Sequence, residues 1–255
     1  SGIEGRGGYF DRYGIVRDVV QNHLLQILAL ITIDEPADDR AAAVCDAKVR
    51  VLRKIPPLTL DRLVLGQYGP SDWRGRRHKG YRESRDVPDD SRTPTFAAAV
   101  IEVDSSRWQG VPFYVRAAKG ANARESEVRI QFRDLGRHLF HRKRRFLPAN
   151  ELTIRIQPDE AITLGIVNKQ PGLGMTLEAT DLDLRYEAAF SAPIPEAYER
   201  LLLDVIGGDR SLFIRSDELE ASWDIFTPVL HEIEARRIEP EIYPFGSHGP
   251  AIDKL

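Results

Sequence analysis

The chain has 255 residues, 42% of them hydrophobic, enough for a sizeable core and near the upper limit for a single one. Its 36 Lys and Arg against 39 Asp and Glu leave a net charge of −3, which argues against a general nucleic-acid or membrane-surface binder. The one cysteine, Cys45, excludes an internal disulfide framework, and no apolar run approaches the length of a membrane span.

Gly7-Gly8-Tyr9-Phe10-Asp11 reads as a glycine turn feeding an amphipathic helix over about Gly14 to Ile33. Val19, Val20, Leu24, Ile27 and Leu28 are its core face. Asp18 and Asn22, four residues apart, share a face, while His23 sits about 140° around from Asp18 at 3.6 residues per turn. Read alone, this is more simply a buried helix with one structural imidazole.

A second helix is expected over about Asp38 to Leu52, where Ala41, Val44, Val49 and Leu52 recur at helical spacing. Gln67 to Arg92, rich in Gly, Pro, Ser, Arg and Asp, reads as a long surface excursion. From about Thr93 to Tyr186 the period is two, as in Ala98-Val100-Glu102, Val128-Ile130-Phe132 and Leu152-Ile154-Ile156. Pro195 suits the first position of a helix over Glu196 to Ile206, and Ser216 the N-cap of another over Asp217 to Ala235. Consecutive strands between helices predict an α+β fold: a large, mostly antiparallel sheet with helices packed on one face. Residues 1–255 are read as one domain, without internal repeats.

The run Gly7 to Gln26, GGYFDRYGIVRDVVQNHLLQ, resembles the signature of glucose-6-phosphate dehydrogenases. So do Thr93-Pro94-Thr95-Phe96-Ala97-Ala98, Arg107-Trp108-Gln109-Gly110-Val111-Pro112-Phe113 and Arg116-Ala117-Ala118-Lys119, in the family's order. Ile154-Arg155-Ile156-Gln157-Pro158, Arg215-Ser216-Asp217-Glu218-Leu219 and Trp223-Asp224-Ile225-Phe226-Thr227-Pro228 extend the likeness almost to the last residue. The resemblance is to the family's C-terminal domain. The glycine-rich strand–turn–helix of a coenzyme domain has no counterpart, since Gly172-Leu173-Gly174 has Leu177 where a third glycine would fall.

The resemblance implies oxidation of glucose 6-phosphate to 6-phosphogluconolactone with NADP, the first step of the oxidative pentose phosphate pathway. His23 is then the base, because imidazole is the side chain best matched to taking a hydroxyl proton near neutral pH. Asp18 binds sugar hydroxyls, Lys119 and Arg124 are the substrate cations, and Gln157 is a further sugar-hydroxyl partner. Cations suit a phosphorylated substrate through charge-assisted hydrogen bonds. The main NADP site lies outside this chain, so the chain alone is expected to be inactive. A homodimer or larger assembly is implied, in the cytoplasm or, alternatively, in an organelle such as a plastid.

Several positions depart from the family pattern. Ala118 stands where glycine usually precedes the lysine, and Gly120-Ala121 replaces a bulkier apolar residue. Arg116, Arg129, Arg155 and Asp183 match a second, structural nucleotide site of mammalian relatives. Glu125 and Gly165 replace its lysines, however, and His248 an arginine, so no structural nucleotide is expected. The alternative reading is a separately encoded, non-catalytic structural or interaction subunit. The basic runs Arg74 to Lys79 and His141 to Arg145 are taken as solvated loops, so no nucleic acid is expected, and His138 and His141 lack further ligands for a metal.

Overall fold

A computed structural model describes residues 2–3, 5–133, 148–190, 197–210 and 213–255. The basic run 141–145, His138 and Pro195 lie outside the described residues. The chain divides into two compact units: Ser1–Ala123 with Arg200–Leu255, and Arg124–Glu199.

The first unit opens with an almost continuous helical arm: α1 (Gly7–Ile15), a π-helical segment (Val16–Leu24) and α2 (Leu25–Thr32). The arm starts seven residues earlier than the expected helix. Gly7 and Gly8 are helical rather than a turn, and a Cβ on Gly7 would fall 2.1 Å from the Arg85 carbonyl oxygen, so only glycine fits there. Gly14 interrupts the arm at φ 67°, ψ 171°, a conformation that favours glycine. There the Ile15 N–H leaves the helical ladder and donates to the Pro94 carbonyl at 3.1 Å.

Helix α3 (Ala41–Leu52) follows, then β1 (Leu63–Gly69) and a short hairpin of β2 (Ser71–Trp73) and β3 (Arg76–His78). β4 (Phe96–Ile101) and β5 (Phe113–Ala118) complete the central strands, and β10 (Glu241–Pro244) closes the chain. The sheet order is β10-β1-β4-β5, antiparallel except where β10 runs parallel to β1. Ala97, Ala98 and Ala99 on β4 are all buried, as the small side chains of a strand covered on both faces must be. The core joins Phe10, Ile15, Val16 and Leu25 of the arm to Phe96 and to Phe226 of α6 (Ser216–Ala235). Pro228 lies inside α6 and supplies no N–H. In the turn before it, the Ile225 carbonyl accepts the Leu58 N–H at 2.9 Å.

The stretch 67–92, expected on the surface, is partly core. Tyr81 is 0% exposed, and its hydroxyl donates to Asp11 Oδ1 at 2.8 Å. Burial, with that hydrogen bond to Asp11, pushes the Tyr81 phenol far above its ordinary range. Ser91 also donates to Asp11 Oδ1, at 2.5 Å, and the Thr93 hydroxyl donates to the Asp11 carbonyl. Asp11 therefore ties the arm to the excursion. Helix α6 begins at Ser216 itself, with the Asp217 carboxylate accepting the Glu218 N–H at 3.0 Å instead of a Ser216 cap.

The second unit is an antiparallel sheet of β6 (Ser126–Gln131), β7 (Glu151–Gln157), β8 (Ala161–Lys169) and β9 (Leu177–Arg185) in sequential order. The single turn α4 (Tyr186–Ala189) follows it, and then α5 (Ala197–Gly207). The α+β class expected from the sequence is the class observed, with the strands divided between two four-stranded sheets and the β2–β3 hairpin.

Candidate functional site

The π register of residues 16–24 decides how the arm presents its polar side chains. The Leu25 N–H donates to the Val20 carbonyl, five residues back rather than four. In an α-helix residues four apart stack on one face; a π ladder passes that relation to residues five apart. Asp18 and His23 are five apart, so the expected separation of about 140° is replaced by a shared side. Helical periodicity alone carries no signal for this change. Such π turns are rare and are frequent at functional sites. His23 and Asn22 are exposed and Asp18 is half-buried.

Lys119 follows β5, one residue past the Ala118 that pairs with Phe96. Its ammonium lies 3.8 Å from Asp18 Oδ2 and 5.6 Å from the centre of the Phe10 ring. An acid from the arm, a lysine from the sheet and an aromatic face thus meet in one place, although a hundred residues separate the two charges. The Lys119 backbone is held on both sides. Its N–H donates to the Thr95 carbonyl at 2.8 Å, and its carbonyl accepts the Tyr243 hydroxyl at 2.5 Å. Burial pushes the Tyr243 phenol well above its ordinary range, so it remains a protonated donor. Thr95 Oγ1 lies 3.0 Å from the Tyr243 oxygen and accepts the Tyr68 N–H. Sequence reasoning missed Thr95 and Tyr243 as supports of Lys119.

Ala118 causes no strain, because it is an ordinary strand residue outside the positive-φ set. The left-handed position is Gly120, at φ 62°, where a Cβ would come within 3.0 Å of Phe245 and Tyr68. The glycine stands where the backbone requires it, one residue after the lysine. The Gly120 carbonyl then accepts the Gly246 N–H at 2.7 Å.

Arg124 and Gln157 belong to the second unit. Arg124 is exposed and precedes β6 by two residues. Gln157 ends β7, opposite Ser126 in the register, with its amide 3.4 Å from the Ser126 hydroxyl. Arg124 thus lies two residues along the chain from the Ser126 that faces Gln157.

Of the residues that match a structural nucleotide site, Arg129, Asp183 and Arg116 have local partners, whereas the Arg155 Nε is buried with no hydrogen-bond partner among the described residues. Arg129 pairs with Glu127 at 2.6 Å, Asp183 with Arg185 at 2.7 Å, and Arg116 donates to the His248 carbonyl at 2.6 Å. Among the described residues no group of three or more His, Cys, Asp or Glu is placed to hold a metal ion. No helix among them is long and apolar enough to cross a membrane. They also form no parallel strand–helix–strand unit, since the one parallel ladder joins β1 to the distant β10.

The fold is that of an α+β domain, distinct from a doubly wound nucleotide-binding one. A family model described as glucose-6-phosphate dehydrogenase, C-terminal domain, matches residues 1–254, and the chain belongs to that family. It is 52% identical to the chloroplastic glucose-6-phosphate 1-dehydrogenase 3 of Arabidopsis thaliana, over 98% of this chain and 42% of that protein. It is 47% identical to glucose-6-phosphate 1-dehydrogenase of Drosophila melanogaster, over 98% of this chain and 48% of that protein. A solved glucose-6-phosphate dehydrogenase in complex with its substrate glucose 6-phosphate superposes with a TM-score of 0.91 at 45% identity, covering 98% of this chain and 51% of that one. The enzyme of Mycobacterium avium superposes at 0.82 and 36% identity, covering 98% of this chain and 50% of that one. The chain spans about half the length of the relatives it matches.

Proposed function

We propose that residues 1–255 act as one substrate domain of a glucose-6-phosphate 1-dehydrogenase, oxidising the C1 hydroxyl of glucose 6-phosphate to the lactone. The observation that carries the reading is the approach of Lys119 to Asp18, 3.8 Å apart, on the segment that also presents His23. In this reading His23 takes the C1 hydroxyl proton, and Asp18 and Gln157 hold sugar hydroxyls. Lys119 and Arg124 take the phosphate. A phosphate arriving at Lys119 competes with Asp18 for the ammonium and frees that carboxylate for the sugar. The hydride acceptor, NADP, is held outside this chain, and no second, structural nucleotide belongs to the proposal.

Ala118, the departure that favoured a non-catalytic subunit, is accommodated without backbone strain, which supports the catalytic reading. A homodimer or larger assembly is part of the proposal, supported by Leu182 and Leu184, both exposed on β9. The compartment proposed is the cytoplasm; chloroplastic relatives at 52% identity support a plastid as the alternative.

In the complete enzyme carrying this chain, Lys119→Ala is expected to raise KM for glucose 6-phosphate by about 10–100-fold, the worth of one charge-assisted hydrogen bond. Asp18→Ala is expected to raise KM and lower kcat together. Steady-state rates at the reduced-nicotinamide absorbance give both. A Lys119→Ala enzyme with unaltered KM removes the lysine from the site.

A further inference from the structure

A concavity of about 490 Å³ opens between the arm and the C-terminal part of α6, entirely within the first unit. Its size is that of an ordinary small-molecule site. Four arginines line it, Arg12, Arg17, Arg92 and Arg237, against two carboxylates, those of Asp11 and Glu234. The surplus is positive in a chain whose net charge is −3.

The pairing inside the cleft sharpens that surplus. Asp11 is occupied by Tyr81 and Ser91, and Glu234 by Arg17 at 3.0 Å. Arg92 pairs with Glu239. Arg12 and Arg237 are exposed and meet no acid among the described residues. Arg237 also sits at φ 51°, a left-handed conformation uncommon for a side chain larger than asparagine. Behind the guanidinium groups the lining is apolar, with Val16, Leu230 and Ile233. Low-dielectric walls under charges of one sign strengthen the field at the mouth.

We propose that this cleft binds an organic anion with an apolar body, a phosphate ester or a carboxylate. The acid group lies against Arg12 and Arg237, and the body against Val16, Leu230 and Ile233. None of the side chains proposed to hold the sugar lines the cleft.

Titration calorimetry on the full-length protein as encoded, with glucose 6-phosphate held at saturation, tests this. Phenyl phosphate and decanoate are the two probes, and they distinguish the phosphate-ester source from the carboxylate one. At least one is expected to bind one-to-one, and Arg12→Gln/Arg237→Gln is expected to weaken it at least about tenfold. Arg12→Lys/Arg237→Lys, which keeps the charge, is expected to retain part of the binding, and the single Gln variants serve if the double one does not fold. Absence of binding by both probes, or equal binding by wild type and the Gln variants, overturns the proposal.

Discussion

Replacing His23 by Asn in the complete enzyme is expected to lower kcat by about 10²–10⁴-fold, the usual contribution of a positioned general base. The C1 proton must leave as the hydride does, and Asn has no basic nitrogen near neutral pH. KM is expected to change far less, because binding in this scheme falls to Asp18, Lys119, Arg124 and Gln157. His23 is exposed on the arm, so the substitution leaves the core untouched and the protein folded. Steady-state rates with a circular-dichroism control give the answer. A kcat within a few-fold of wild type means that His23 is not the base.

The second large effect concerns stability. Lys48 on α3 and Glu218 on α6 form an ion pair at 2.9 Å with side-chain exposures of 5% and 0%. Among the described residues the Glu218 carboxylate meets no hydrogen-bond donor other than the Lys48 ammonium. Lys48 reaches, among the described residues, only the Gln26 amide oxygen besides, at 3.4 Å. Lys48→Met therefore strands a buried carboxylate and is expected to cost about 3–5 kcal/mol. Lys48→Met/Glu218→Leu, which removes both charges, is expected to recover most of that loss. Urea midpoints of the wild type, single and double variants measure it. A single variant as stable as wild type means that the pair is solvated.

Much of the proposed site rests on short segments of sequence. The arm's sequence singled out Asp18 and His23 through residue types and family likeness, and the strand ending at Lys119 did the same. What stayed hidden depends on residues far apart in the chain. Tyr243 meets Thr95 across 148 positions and the Lys119 carbonyl across 124. Neither tyrosine nor threonine carries a local mark of that duty. Lys48 reads as an ordinary charge on a helix, and its burial depends on α6 lying against α3.

The fold divides the same way. Strand alternation and helix periodicity place most elements to within a few residues. They miss the helical start at Gly7, because glycine pairs ordinarily signal turns. Here the close approach of the Arg85 carbonyl requires glycine inside the helix. Composition also placed 67–92 at the surface, whereas Asp11 draws Tyr81 into the core. The π register is the least visible feature, since residue spacing was interpreted at 3.6 per turn throughout.

A crystal structure of the complete enzyme with glucose 6-phosphate bound tests the central claim most directly. The expected result puts the C1 hydroxyl within about 2.6–3.2 Å of a His23 ring nitrogen, with the phosphate on Lys119 and a sugar hydroxyl on Asp18. A sugar phosphate seated elsewhere, or with C1 turned away from His23, would contradict it.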